Sequence, residues 1–427
     1  MREGKNMGFE SHKLGFWILI RAAAVVLVSA AAPAFAQIPS AKQAVAAADS
    51  GDVPRVFLLD GSRLAASKRK ILAGDAAAAA PLAQLERDAK RALTAGPFSV
   101  VDKDATPPSG DKHDYMSQAP YFWPDPDVAD GLPYIRRDGE RNPEINKFRN
   151  HQQMSRMTDS VDLLALFYYF TSDEQYAAKA SQLLRAWFLD PATKMNPNLQ
   201  FAQAIPGVNS GRGIGLIESI CLTRVVDDIG ILHGSKAWTE EDERGMEKWF
   251  GAFLQWMLES KNGKDEAAAK NNHGTYYDLQ VASYAFFLGK DDLAKSVLQR
   301  VGPHRIATQI EPNGREPLEL VRTKAWSYSV GNLSGLMSLA QLGEHVDVDL
   351  WNYRTADGRS IRQAVDYLLP YADGEKKWDY QQLGGWTAES FATILRRAAA
   401  KYPDGRYAAT LEKLTRGRTA SWRDSLL

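Results

Sequence analysis

The 427-residue chain holds a single cysteine, Cys221, so no internal disulfide can form and stability must come from packing. Cys221 sits between Ile220 and Leu222 with nothing beside it to activate a thiol, which reads as a buried structural cysteine. Charge of either sign is not in excess: 52 Lys and Arg stand against 52 Asp and Glu. The basic footprint of a nucleic-acid binder is therefore missing, and a polyanion would have to be met by locally gathered Arg, Lys and His. The seven histidines (12, 113, 151, 233, 273, 304 and 345) are scattered, with no His-Glu-x-x-His pair. The carboxylates of Asp125–Asp130 lack the EF-hand spacing, and no Gly-x-Gly-x-x-Gly or phosphate loop is found. Neither a metal nor a cofactor is expected. Sustained strand alternation is also scarce. Short candidates such as Val53–Leu59 are too few for a second β domain.

What is present begins with a leader-like segment. Arg2, Lys5, Lys13 and Arg21 precede the apolar run Ala22–Ala32, which ends in Ala34-Phe35-Ala36. This is the pattern of a secretory signal with cleavage after Ala36, and the run is too short to span a bilayer as a helix. Residues 1–36 are read as a signal peptide and 37–427 as one domain, periplasmic or secreted and free of the membrane once cleaved. No obligate protein partner is evident.

Helical periodicity dominates from about residue 150. Ser172-Asp173-Glu174-Gln175 has the form of a capping box, followed by Tyr176, Leu183, Leu184, Trp187 and Phe188 at helical spacing. Thr239-Glu240-Glu241-Asp242 opens another helix, with Met246, Trp249, Phe250, Phe253 and Met257 on one stripe. Further patterns cover 158–170, 213–231, 275–288, 291–300, 316–341, 360–370, 387–401 and 404–416, joined by short Gly, Pro and Asp turns. Successive helices joined by tight loops predict stacked αα-hairpins in an all-α fold. No fixed repeat period accompanies them, which favours a single α/α toroid, an incomplete barrel, over a repeat array. One segment breaks the rhythm. From Asp102 to Pro143 the chain is rich in Pro, Gly, Asp and aromatics, a composition that suits either a functional loop or a structural belt.

Two clusters stand out chemically. Asn271-Asn272-His273-Gly274 lies at the entrance of a helix, where one Asn is explained by capping but two amides and an imidazole are not. Glu319-Leu320-Val321-Arg322-Thr323-Lys324-Ala325-Trp326-Ser327-Tyr328 crowds cations and aromatics onto an otherwise apolar helix. For Arg322 alone, a snorkelling surface charge would be a sufficient account.

The pairing of Asn-Asn-His with Arg-Thr-Lys-Ala-Trp-Ser-Tyr some fifty residues later resembles the alginate lyase family of α/α-toroid enzymes. So do Ser117–Pro126 with Gly131-Leu132-Pro133-Tyr134, and Gln203-Ala204-Ile205-Pro206-Gly207 leading to Gly211-Arg212-Gly213. The likeness runs from about residue 55 to 400. It implies a polysaccharide lyase that cleaves 4-linked uronic-acid polymers by β-elimination, with an anionic polysaccharide as its partner. Asn272, His273, Arg322 and Tyr328 would be catalytic; Tyr121, Trp123, Tyr134, Arg136, Arg212 and Trp326 would bind substrate. Two departures from the family pattern, Gly274 after the Asn-His pair and the six-residue step from Arg322 to Tyr328, imply a divergent branch with glucuronan as an alternative to alginate.

Elementary chemistry agrees. The C5 proton of a uronate is weakly acidic because the neighbouring carboxylate is negative, so fixed donors must neutralise that charge. Asn272 and His273 suit the task, and Arg322 adds a full charge. Tyr328 would exchange protons. A phenol titrating near 10 is a poor base at neutral pH, so Arg322 is expected to favour the phenolate. On one continuous helix the two would lie about 120° apart, so Arg322 would have to reach around. Two other readings remain at this stage. A glycoside hydrolase would use carboxylates such as Asp227, Asp228 or Glu319, although adjacent Asp227 and Asp228 point apart on a helix. A non-catalytic sugar binder would use Trp123, Tyr134, Trp326 and Trp386 as platforms.

Overall fold

The computed structural model describes residues 53–427; the signal-peptide reading of residues 1–36 lies outside them. The residues from 61 onward build α1 (Gly61–Leu72), α2 (Ala76–Ala92), α3 (Asn150–Thr171), α4 (Glu174–Leu184), α5 (Leu222–Leu232), α6 (Glu240–Glu259), α7 (Lys261–Ala267) and α8 (Asn272–Phe287). There follow α9 (Asp291–Val301), α10 (Pro317–Leu320), α11 (Ala325–Gly343), α12 (Ile361–Asp373), α13 (Ala392–Lys401), α14 (Gly405–Thr415) and α15 (Trp422–Leu426). Strands are few and short, as expected. β1 (Met116–Gln118) pairs in parallel with β4 (Phe201–Ala204), and β2 (Phe122–Trp123) pairs antiparallel with β3 (Ile135–Arg136).

Sequence chemistry sorts the helices into two rows. α3, α8 and α11 bury most of their residues. With α5 they form an inner series in which α3 packs on α5, α5 on α8, and α8 on α11. α4, α6, α9 and α12 are amphipathic and cover that series from outside, α4 on α3, α9 on α8 and α12 on α11. This is the α/α toroid the hairpin pattern predicts. Between α6 and α8, the rings of Trp249, Phe250 and Phe253 meet Phe188, Tyr284 and Phe287 at centroid distances of 4.7–5.8 Å. Each such pair contributes about 0.5–1.5 kcal/mol beyond area burial. No helix among the described residues is long and apolar enough to cross a membrane.

Element ends follow local capping, with two corrections. Thr239 and Asp242 form the reciprocal capping box of α6. At α4 the cap is Asp173, whose carboxylate accepts from the Gln175 N–H, while Ser172 closes α3 in the left-handed region at φ 59°. The segment read as one helix over 316–341 is broken: α10 stops at Leu320 and α11 starts at Ala325. Pro317 starts the short helix, and Arg322 falls in the turn between the two.

The 102–143 segment is a strap across the fold. At its start the Lys103 ammonium is buried and donates to the carbonyls of Val100, Lys112 and Asp114 at 2.6–2.9 Å. Burial pulls its pKa down to about 8. Asn150 and Gln153 of α3 bind Val100 O and Asp102 O from below. Further along, the strap carries β2 and β3 over the N-terminal ends of α8 and α11, and thereby positions the site.

Candidate active site

A cleft of about 690 Å³ opens where the strap, β1, β4 and the entrances of α8 and α11 converge. α8 supplies its first wall. Fourteen of its sixteen residues are buried, and the exceptions are His273 and Tyr276. Asn271 occupies the cap position yet makes no capping side-chain bond, so capping does not explain the Asn-Asn-His run. Two buried carboxylates hold the next two residues instead. Glu319 accepts from the Asn272 backbone N–H at 2.7 Å and from its side-chain Nδ2 at 2.8 Å. Glu266 meets His273 Nδ1 at 2.7 Å. An ionised carboxylate can only accept, so this bond places a proton on Nδ1 and leaves Nε2 for the cleft. Burial raises the Glu319 pKa, opposed by its two bonds from Asn272.

Gly274 follows because nothing larger fits. A Cβ there would stand 2.2 Å from Ala269 O and 2.3 Å from Arg305 Nη1. Arg305, on a π turn over Gly302–Ile306, donates to the carbonyls of Ala267 and Ala269 and pairs with Asp278 of α8 at 2.7 Å. The guanidinium fills the space that a side chain at 274 would take, and braces the turn entering α8.

The turn between α10 and α11 supplies the second wall. Its geometry removes the angular conflict expected of a continuous helix: Arg322 lies outside α11, and its guanidinium stands 4.0 Å over the Tyr328 ring. Arg322 is already engaged. Nε and Nη2 grip the Asp138 carboxylate at 2.8–3.2 Å, while the Thr323 N–H and hydroxyl donate to the same group. Burial would raise Asp138, but these donors outweigh it and hold the carboxyl well below its usual range. The Tyr328 hydroxyl donates to the Tyr121 hydroxyl at 3.0 Å, and the Lys324 ammonium lies 5.9 Å from the Tyr121 ring. Burial and the Tyr121 bond raise Tyr328 well above an ordinary phenol, although Arg322 pulls it down. The expectation that Arg322 secures a phenolate is thus corrected. Burial and the bond to Tyr121 favour the neutral phenol at Tyr328, and Arg322, gripped by Asp138, offsets them only in part.

The third wall is β1, β4 and the strap. Arg136, Arg141 and Arg212 line it with Gln118, His151 and Gln203. Arg212 donates from Nη2 to Gln203 Oε1 at 2.8 Å and lies over the Phe122 ring, and burial lowers its pKa. Its Nε has no partner, nor do Gln118 Nε2 and His151 Nδ1. Gln203 is held at φ 50°, a left-handed conformation that costs energy for a non-glycine residue and clusters at functional sites.

Of the residues singled out from sequence, Asn272, His273, Arg322, Tyr328, Tyr121, Arg136 and Arg212 come together in this cleft. Three do not. Trp326 is 1% exposed and packs against Trp378, Trp386 and Phe391, with its Nε1 on Ser390, so it is a core residue and no sugar platform. Trp386 belongs to the same cluster. Trp123 lies on β2 with its Nε1 on Glu140 O and its ring under Arg137, and Tyr134 donates to Glu144 at 2.7 Å; neither lines the cleft. Periodicity gave no hint that Gln203, His151, Lys270, Arg141, Glu266 or Asp138 would join. Only Gln203 had a signal, its place in the Gln-Ala-Ile-Pro-Gly motif.

The hydrolase carboxylates are accounted for otherwise. Asp227 accepts the backbone N–H groups of Phe57, Leu58 and Leu59 at 2.7–2.9 Å, and Asp228 is fully buried. Neither reaches the cleft, and Glu319 is occupied by Asn272. Fold and cleft therefore define an α/α toroid whose cleft gathers cations around a phenol and an imidazole.

Comparison with known proteins narrows this. The alginate lyase family model matches residues 99–378, and the chain belongs to that family. An alginate lyase from Bacteroides ovatus is 41% identical, with 88% of this chain and 99% of that one covered and a TM-score of 0.83. Alginate lyase A1-III from Sphingomonas species A1 is 16% identical over 76% of this chain and 86% of that one, with a TM-score of 0.48. Its complex with a tetrasaccharide is 13% identical over 83% and 90%, with a TM-score of 0.50, a likeness of fold alone. A search of curated proteins finds no match. The protein is a polysaccharide lyase.

Proposed function

We propose that this lyase cleaves 4-linked polyuronates, alginate or glucuronan, by β-elimination at the cleft described above, and that it does so after export to the periplasm or beyond. One observation carries the reading. Arg136, Arg141, Arg212, Lys270 and Arg322, with His151 and His273, line a single cleft in a chain of zero net charge. A surface with no global field has gathered its cations where a chain of carboxylates would lie.

The chemistry proceeds in named parts. Asn272 and the free Nη1 of Arg322 neutralise the carboxylate beside C5, each such donor being worth about 3–4 kcal/mol, and His273 joins them as a donor when its Nε2 carries a proton. A base removes the C5 proton, the C–H electron pair becomes the C4=C5 double bond, the C4–O4 bond breaks, and O4 takes a proton. Tyr328, held neutral, is the acid. For guluronate, C5–H and O4 lie on opposite faces, and His273 Nε2 is the base. For mannuronate or glucuronate they share a face, and Tyr328 serves twice: once its own proton has been lost to solvent, the phenolate takes the C5 proton and gives it to O4. The test is the ultraviolet absorbance of the conjugated unsaturated uronate, measured across alginate, polymannuronate, polyguluronate and glucuronan. Absorbance growing on at least one is expected. Reducing ends without that absorbance would point to hydrolysis instead.

A further inference from the structure

Asp138 lies on the strap, has no part in the scheme above, and grips Arg322, the cation of the second wall. Its carboxylate takes the Nε and Nη2 donors of Arg322, accepts from the Thr323 N–H and hydroxyl, and pairs with Arg136 at 2.7 Å. The strap is pressed against the turn at this point: a Cβ on the next residue, Gly139, would stand 2.3 Å from Thr323 Oγ1. That contact leaves no room for Asp138 to back away from Arg322.

A guanidinium has five N–H donors in a rigid fork. With Nε and Nη2 fixed on Asp138, the plane of Arg322 is set, its face lies on the Tyr328 ring at 4.0 Å, and Nη1 is the nitrogen left for a ligand. We propose that Asp138 is a positioning residue of the lyase: it fixes Arg322 over the Tyr328 ring and so helps set the charge that the phenol meets before substrate arrives. The proposal rests on the β-elimination reading for its kinetic consequence, and on the geometry alone for its effect on Tyr328.

The charged and titratable groups that bear on Tyr328 are Tyr121 and Asp138 from the strap, and Arg322 from the turn. Lys324 stands over Tyr121, Arg136 pairs with Asp138, and Lys270 and His273 line the same cleft. Removing the charge of Asp138 leaves the cations in place and takes away an anion. The sign follows: the Tyr328 hydroxyl must then ionise at lower pH.

The experiment pairs kinetics with a spectroscopic titration. Tyrosinate absorbance is followed against pH, and the Tyr328 contribution is taken as the difference from Tyr328→Phe. Asp138→Asn keeps the shape and most acceptor positions while losing the charge. It is expected to move the Tyr328 titration to lower pH and to cut kcat at least about tenfold, with KM on polyuronate changed by less than about threefold, as for a misplaced catalytic group. Asp138→Glu keeps the charge one methylene out, so its titration should stay closer to the parent's while kcat still falls. A folded Asp138→Asn protein with unchanged titration and unchanged kcat overturns the proposal; so does one whose melting point drops while both stay as they were. Should Asp138→Asn fail to fold, Asp138→Glu decides, and an unaltered kcat there also overturns it. If the parent protein cleaves no polyuronate, the functional reading falls and the titration still decides the role of Asp138.

Discussion

Tyr328 owes its character to three neighbours and not to its place in the sequence. Burial and the bond to Tyr121 raise its hydroxyl, and Arg322, divided between the ring and Asp138, cannot reverse that. Tyr328→Phe removes one oxygen, leaves the packing intact, and is expected to lower kcat by about 10²–10⁴-fold, the usual worth of a general acid–base group. Near-parent activity in a folded variant would shift the role to Tyr121, the other phenol of the cleft. Tyr276 and Tyr277 are spent on the carbonyls of Gly331 and Met257. Because the acid must be protonated, the alkaline limb of kcat/KM should lie above the ordinary phenol range, near 10. A limb well below that range would show that Tyr328 is not the acid. On the third wall, Arg212→Lys keeps the charge but loses the Nη2 bond to Gln203 and the stacking on Phe122. A several-fold rise in KM is expected; unchanged kinetics would make Arg212 structural.

The element that carries the site is the entrance of α8, and its geometry depends on Arg305. That residue bonds two carbonyls of the preceding turn and pairs with Asp278, whose carboxyl burial pushes upward. Removing one member of a buried pair strands the other, so Arg305→Ala should cost about 3–5 kcal/mol. Thermal or urea unfolding measures it, and a loss below about 1 kcal/mol would contradict the bracing role. Gly274→Ser tests the same brace from the other side. The added Cβ collides with a backbone carbonyl and the guanidinium, and the expected result is a destabilised protein with reduced kcat. The departure from the family pattern at Gly274 is therefore a packing consequence: here the guanidinium of Arg305 occupies the space of a side chain. Sequence located this element well but misjudged the next one. Apolar periodicity across 316–341 concealed the break at 321–324, because Val321 and Ala325 fit a helical stripe whether or not the chain turns between them.

At the scale of the molecule, charge is balanced overall and concentrated locally. Binding of a polyanion to such a cleft should weaken with salt, since exposed charges are screened beyond about 8–10 Å at 0.1–0.15 M. KM is expected to rise with ionic strength while kcat changes little. A salt-independent KM would show that the cations are not the binding surface. Export is tested by the N-terminus of the protein recovered from its native cell envelope or medium. Mass spectrometry should place it at or near Gln37, and an intact Met1 from the cytoplasm would overturn the proposal.

Helix periodicity, capping residues and the motif pairs were enough to read the all-α toroid, the Asn272–His273 and Arg322–Tyr328 pairs, and the place of Arg212. These features are local or repeat at fixed spacing, and a linear string records both. What the string could not hold is who meets whom across the fold. Trp326 looks like a sugar platform beside Arg322 and Tyr328, yet it points into a cluster with Trp378 and Trp386 because alternate faces of α11 serve core and cleft. Glu266, Asp138 and Gln203 carry no periodic signal, and they reach the site only through the short helix α7, the strap and a strained strand residue. The protonation of Tyr328 was likewise decided in three dimensions. It depends on burial and on the bond to Tyr121, which lies 207 residues away in sequence, and electrostatic energy follows distance in space.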